Sequence, residues 1–205
     1  MKVLRRLASG LFGHRAQRAT LTLVVGAALH GAEEPRLYTE TSADPEGGKI
    51  TMCVWLVNGC RFQFTPPPGW SIKGGATNAL LQLTEPDLKA AIHLQLHADS
   101  GTTNALPYLV AWRERVKERY PKATWLLDSP CFIADRDAWG CDLAIPVDKV
   151  TEARVRVVVV PYPGGNAEFE MRTTSVHESL ARRAMRRVLN SLSITSATPA
   201  ETPHP

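Results

Sequence analysis

The residues whose types could do chemistry fall into three sets: two histidines, four cysteines and a run of arginines. His93 and His97 are four apart, which on a helix would suit a metal pair. They lie in Ala91-Ile-His-Leu-Gln-Leu-His-Ala98, which alternates with a period of two. That is a strand pattern, with Ile92, Leu94 and Leu96 inward and His93, Gln95 and His97 outward. Four residues of strand separate the histidines by roughly 13 Å. One ion holds its ligands within about 2 Å, so the pair reads as two exposed polar-face histidines and no metal is expected. His177 falls on the apolar side of the last helical segment, near its start, and reads as a satisfied core histidine rather than a ligand or base.

Cys53, Cys60, Cys131 and Cys141 contain no C-x-x-C, so neither a thioredoxin-type site nor a zinc knuckle is indicated. Cys131 and Cys141 flank Ala134-Asp-Arg-Asp-Ala138, and a three-residue loop would set them opposite each other as a disulfide, subject to the strict geometry of that bond. Cys53 and Cys60 share a strand face but are offset, and read as free thiols. The arginines are Arg182, Arg183, Arg186 and Arg187. At 100° per residue they fill one half of a helix, opposite Ala184, Val188 and Leu192. They are the candidate partner-binding surface, suited to an acidic protein, anionic headgroups or a phosphate-bearing ligand. A solvated helix face is the plainer alternative. There is no G-x-S-x-G, no H-E-x-x-H and no phosphate loop. Asp135 and Asp137 are ordinary turn composition. The chain does not read as an enzyme, and no cofactor is implied.

The elements that must position these groups start from Phe62-Gln-Phe-Thr-Pro-Pro-Pro-Gly-Trp70. Three prolines end any ladder, Gly69 permits a turn, and Trp70 returns as a large apolar anchor. Ahead of this corner, Ile50–Val57, Asn58-Gly59 and Cys60–Thr65 predict a type I′ hairpin. Its register pairs Val57 with Cys60, Trp55 with Phe62 and Cys53 with Phe64. Leu80–Thr84 and Ala91–Ala98 predict two more strands. Asn104 is placed to cap a helix to about Tyr120, with Leu109, Trp112, Val116 and Tyr120 inward and Arg115, Glu118 and Arg119 facing water. Strands are predicted at Thr124–Leu127, Cys131–Ala134 and Trp139–Val147, and a hairpin joins Arg154–Val160 to Glu168–Arg172. Ser175-Val-His-Glu178 is a capping-box sequence opening a helix to about Asn190. This order predicts an α+β fold, an antiparallel sheet with helices packed on it.

The chain has 205 residues and a net charge of +4. Lys2, Arg5, Arg6, Arg15 and Arg18 precede the apolar run Ala19–Ala28, and no acid does. Without those five charges the body is nearly neutral, so the basic balance gives no case for nucleic acid. The basic, apolar, small-residue order predicts a signal peptide over 1–32 and export to the periplasm or beyond, with no membrane span in the mature chain. Residues 33–49 read as a disordered linker, 50–194 as the folded domain, and 195–205 as a disordered Pro/Thr-rich tail.

A strand ending in Phe64-Thr-Pro-Pro-Pro-Gly-Trp70, followed by strands, a helix, an antiparallel run and a closing helix, resembles the PsbP-like and DcrB-like α/β/α sandwich superfamily. The resemblance covers about Phe62 to Ile194. Its members serve as photosystem subunits, envelope proteins, chaperones of secreted effectors and nuclear transport cofactors. It implies a non-enzymatic binding or assembly protein with a protein partner in the envelope. No catalytic motif comes with it, so no residue role is carried over. A small-molecule or metal carrier, with His93 or His97 at the rim of a cleft beside the sheet, is the alternative.

Overall fold

The computed structural model describes residues 35–43, 48–75, 79–98 and 105–197. They build two antiparallel sheets. The larger has seven strands in the order β4 (Ser71–Gly75), β5 (Leu80–Glu85), β6 (Ala90–Ala98), β10 (Gly165–Thr174), β9 (Glu152–Tyr162), β8 (Arg136–Pro146), β7 (Thr124–Ile133). The smaller has four, in the order β1 (Arg36–Ala43), β2 (Lys49–Val57), β3 (Cys60–Phe64), β11 (Ser193–Ser196). Between β6 and β7 the chain passes through helix α1 (Ala105–Arg119), which carries it from mid-sheet to the far edge. The meander β7 to β10 then returns to pair with β6. Helix α2 (Glu178–Asn190) follows β10. The fold is α+β, with strands dominating.

The opening hairpin forms in the predicted register, Val57↔Cys60, Trp55↔Phe62 and Cys53↔Phe64. Asn58 and Gly59 take φ of 52° and 69°, the left-handed pair a type I′ turn requires. The proline corner is a tight turn: the Trp70 amide donates to the Pro67 carbonyl at 3.3 Å, and Gly69 sits at φ +82°. Pro then Gly at the two central positions suits a type II turn. Trp70 is half-buried against the main core.

Register sorts the large sheet into two faces. Leu81, Ile92, Leu94, Val158, Phe169 and Met171 point inward, onto β2, β3 and α2. Trp55, Phe62 and Phe64 meet them from the small sheet and are all but fully buried. Each such side chain contributes about 1.5–3 kcal/mol of transfer free energy. Where β1 crosses this layer, Leu37 packs on Gly74, and a Cβ there would lie 3.0 Å from the leucine methyl. The outward face carries Cys141, Leu143, Val155, Val157 and Val159, which α1 covers with Trp112 and Val116.

Several expectations are corrected. Arg36–Ala43, placed in a linker, forms β1 and pairs along its length with β2. It was hidden because it is a polar edge strand, mostly exposed. The tail assigned from residue 195 begins as strand: Thr195 and Ser196 pair with Arg61 and Cys60. Cys131–Ile133 and Thr124–Leu127 belong to one strand, with a register shift between Trp125 and Leu127. Pro130 does not interrupt it because β7 is a sheet edge, where a missing N–H faces no partner. The capping box does not close. Ser175–His177 is a 3-10 turn, and neither Thr174 nor His177 caps with its side chain. Glu178 instead bonds Arg182. The signal peptide over 1–32, the Asn104 cap and residues 198–205 lie outside the described residues.

Candidate functional site

Buried charge marks two places, one on each face of the large sheet. The outward one lies where α1 ends over β10. Glu168 and Glu170 are 2% and 5% exposed. Alternation along β10 puts both carboxylates outward, while Phe169 and Met171 go into the core. Arg119 reaches between them, with Nη1 2.6 Å from each carboxylate. The Trp112 indole N–H donates to Glu168 at 3.0 Å. Arg172 donates to Glu170 and to the Tyr120 hydroxyl. Burial opposes ionisation of Glu170, yet hydrogen bonds from Tyr120, Arg119 and Arg172 hold its carboxyl below the usual range. Arg119, expected to face water, is a structural cation. Burial of the Tyr120 phenol and the neighbouring Glu170 charge both push its pKa up.

His93 and His97 sit on this same face, opposite Glu170 and Asn166 in register. They are half-buried rather than exposed, and the His97 Nε2 is buried without a hydrogen-bond partner. Burial lowers the pKa of both, against the opposing pull of Glu170 and Glu168. Among the described residues no three His, Cys, Asp or Glu side chains are placed to hold a metal ion. His177 is half-buried in the 3-10 turn before α2.

The inward place inverts the pattern. Asp142 of β8 is 4% exposed, in a strand of apolar neighbours. Arg156 Nη1 donates to both its oxygens at 3.0 Å, and Arg182 Nη1 to Oδ2 at 3.0 Å. Arg182 also donates to Glu178 at 2.8 Å, and Arg154 pairs with Glu178 and Glu152. This ladder ends at a groove of about 220 Å³ between α2 and the end of β7, with Arg156, Arg182 and Arg186 on its wall and Ile133, Met185 and Leu189 as apolar lining.

The four arginines of α2 share one side of the helix, opposite the buried Ala184 and Val188, but they are not equivalent. Arg182 is half-buried and occupied by Asp142 and Glu178. Arg186 is exposed and lines the groove, and Arg183 and Arg187 are exposed without lining it. Sequence reasoning missed Asp142, Arg156, Glu168 and Glu170. The signal was an isolated acid inside an apolar strand and the Glu-Phe-Glu-Met alternation.

The proposed Cys131–Cys141 bridge is absent, and all four cysteines are free. The turn between β7 and β8 is the two-residue Ala134-Asp135, with φ of 51° and 57°. That sets Cys131 opposite Ala138 and Cys141 opposite Asp128. Cys131 packs on the inward core and Cys141 on the outward one, so a sheet lies between them. Burial pushes the Cys53 and Cys141 thiols up to about 12.

No family model matches the chain, and no curated protein matches it in sequence. Solved structures do. LpqN of Mycobacterium tuberculosis, described as involved in cell envelope biogenesis, is similar at 12% identity with a TM-score of 0.55, over 78% of this chain and 91% of LpqN. Cyanobacterial PsbP from Synechocystis is similar at 11% identity with a TM-score of 0.48, over 84% of this chain and 99% of that one. The likeness to LpqN is one of fold alone, and the α+β architecture read from the sequence is shared with it at that level.

Proposed function

We propose that this chain is an exported, non-enzymatic binding or assembly protein of the cell envelope, built as an α/β/α-type sandwich. The observation that supports it most is the shared fold with LpqN, which is described as acting in cell envelope biogenesis. The basic and apolar leader read over 1–32 fits export, and no helix among the described residues is long and apolar enough to cross a membrane. The surface proposed to meet a protein partner is the solvent side of α2, now reduced to Arg183, Arg187 and the neighbouring Arg186. Arg182 drops out because its guanidinium is already bonded.

Cross-linking in intact cells tests this with wild type and an Arg183→Glu/Arg187→Glu variant. The expected result is one envelope protein captured by wild type and lost from the variant, with unchanged circular dichroism. Recovery of the chain from the cytoplasm, or equal capture by both forms, sinks the reading. The groove below α2 favours a second reading, a carrier of a small ligand. It differs from the cleft expected beside His93 and His97, being on the opposite face of the sheet.

A further inference from the structure

The inward ladder is balanced until its last member. Arg154, Arg156 and Arg182 face Glu152, Asp142 and Glu178 through the ion pairs described above. Arg186 follows Arg182 by four residues, one helical turn, and lies on the same groove wall. It makes no ion pair among the described residues. Arg156 bonds Asp142 through Nη1 alone, which leaves its Nη2 edge without a partner among the described residues. The groove thus presents one uncompensated positive charge and spare guanidinium donors, in the same lining as Ile133, Met185 and Leu189. An occupant matched to it carries one negative charge at one end and apolar substance behind it.

We propose that this groove is a binding site for an amphiphile with a single carboxylate head, the carboxylate on Arg186 and the free edge of Arg156, and the first carbons of its chain on Ile133, Met185 and Leu189. Guanidinium recognises a carboxylate through charge-assisted, planar hydrogen bonds. Desolvation by the apolar floor strengthens that contact relative to open solvent. About 220 Å³ accommodates the head and a stretch of chain. Asp142 has a definite part in this. It holds Arg156 and Arg182 in place and, together with Glu178 on Arg182, balances their charge, so that Arg186 is the cation left for the ligand. The site goes beyond the assembly reading and does not depend on Arg183 or Arg187 touching a protein.

Calorimetric titration of the full chain with dodecanoate, below its micelle concentration, tests the site. Binding is expected for dodecanoate and at least ten-fold weaker for dodecanol and for acetate, which lack the head and the tail respectively. Arg186→Gln should weaken dodecanoate at least ten-fold, and Arg183→Gln should leave it unchanged. Both residues are exposed on one helix, so both variants keep the fold. Equal binding of dodecanol, equal binding by the Arg186→Gln variant, or no heat at all overturns the proposal. Association only with phosphatidylglycerol vesicles, weakened equally by both substitutions, also overturns it, because general surface charge then explains the binding.

Discussion

The two faces of the large sheet solve the same problem with opposite charges. On the outward face a cation, Arg119, sits between two buried carboxylates. On the inward face a buried carboxylate, Asp142, sits between two cations. The difference lies in what surrounds them. Glu168 and Glu170 are roofed by α1, and the Trp112 indole and the Tyr120 hydroxyl add hydrogen bonds to the cluster. The Asp142 cluster leads instead into a groove whose next residue is Arg186, which has no ion-pair partner among the described residues. A buried network satisfied from every side is a structural device, because its members have nothing left to offer a ligand. A network open at one end can present donors while its own charge is neutralised. The comparison assigns stability to the outward cluster and binding to the inward one.

The sharpest way to break it is Arg119→Met. Two carboxylates, 2% and 5% exposed, then lose their shared cation. Removing one partner of a buried ion pair costs about 3–5 kcal/mol. The effect carries a pH signature. In wild type the Glu170 carboxyl is held below 4.5, so its contribution is fully present above that pH and lost as pH falls through the folded value. His93 and His97 are also held below 6.5, so the unfolded chain takes up their protons first, and stability begins to fall below about that pH. In the variant Glu170 keeps Tyr120 and Arg172 but loses one of the bonds that hold its pKa down, so its pKa should rise and the loss should be greater at pH 7 than at pH 5. Urea unfolding at both values checks this. Equal losses would mean that Arg119 matters only for packing.

The next test is Arg182→Met, on the inward cluster. Asp142 keeps both hydrogen bonds from Arg156, so less is left unsatisfied. Hydrogen bonds to charged groups contribute about 1.5–3 kcal/mol, and the partial exposure of Arg182 argues for the lower end. Chemical denaturation should show a smaller loss than for Arg119→Met. A loss of equal size would erase the distinction between the two faces.

These clusters also show how far the residues could be read alone. The Asn58-Gly59 hairpin was legible to the residue, because the turn chemistry and the alternation of Trp55, Phe62 and Phe64 point the same way. Helix α1 and its buried Trp112 and Val116 were legible from spacing. β1 was not, because a polar edge strand buries little and leaves no hydrophobic period. The two-residue turn at Ala134-Asp135 was not, because both residues adopt positive φ without a glycine. The candidate site was legible only as a set of arginines. Which of them is free depends on Asp142 and Glu178, one of them forty residues away in sequence, meeting on the inward face.

The smallest effect separates Arg182 from its neighbour. Arg183 is exposed, lines no groove and makes no ion pair among the described residues. Arg183→Gln should change stability by less than about 0.5 kcal/mol, as is usual for a surface position without such a feature. Arg182 and Arg183 are adjacent, share a helix and were equivalent as sequence. If helix propensity or net charge governed α2, the two substitutions would behave alike, since each removes one positive charge. If buried partners govern it, Arg182→Met costs several times more, because only Arg182 reaches Asp142 and Glu178. Urea midpoints of the two variants, measured side by side at constant slope, decide between these accounts. Equal midpoints would return the arginines to a single solvated stripe and leave the ladder beneath α2 without a structural role.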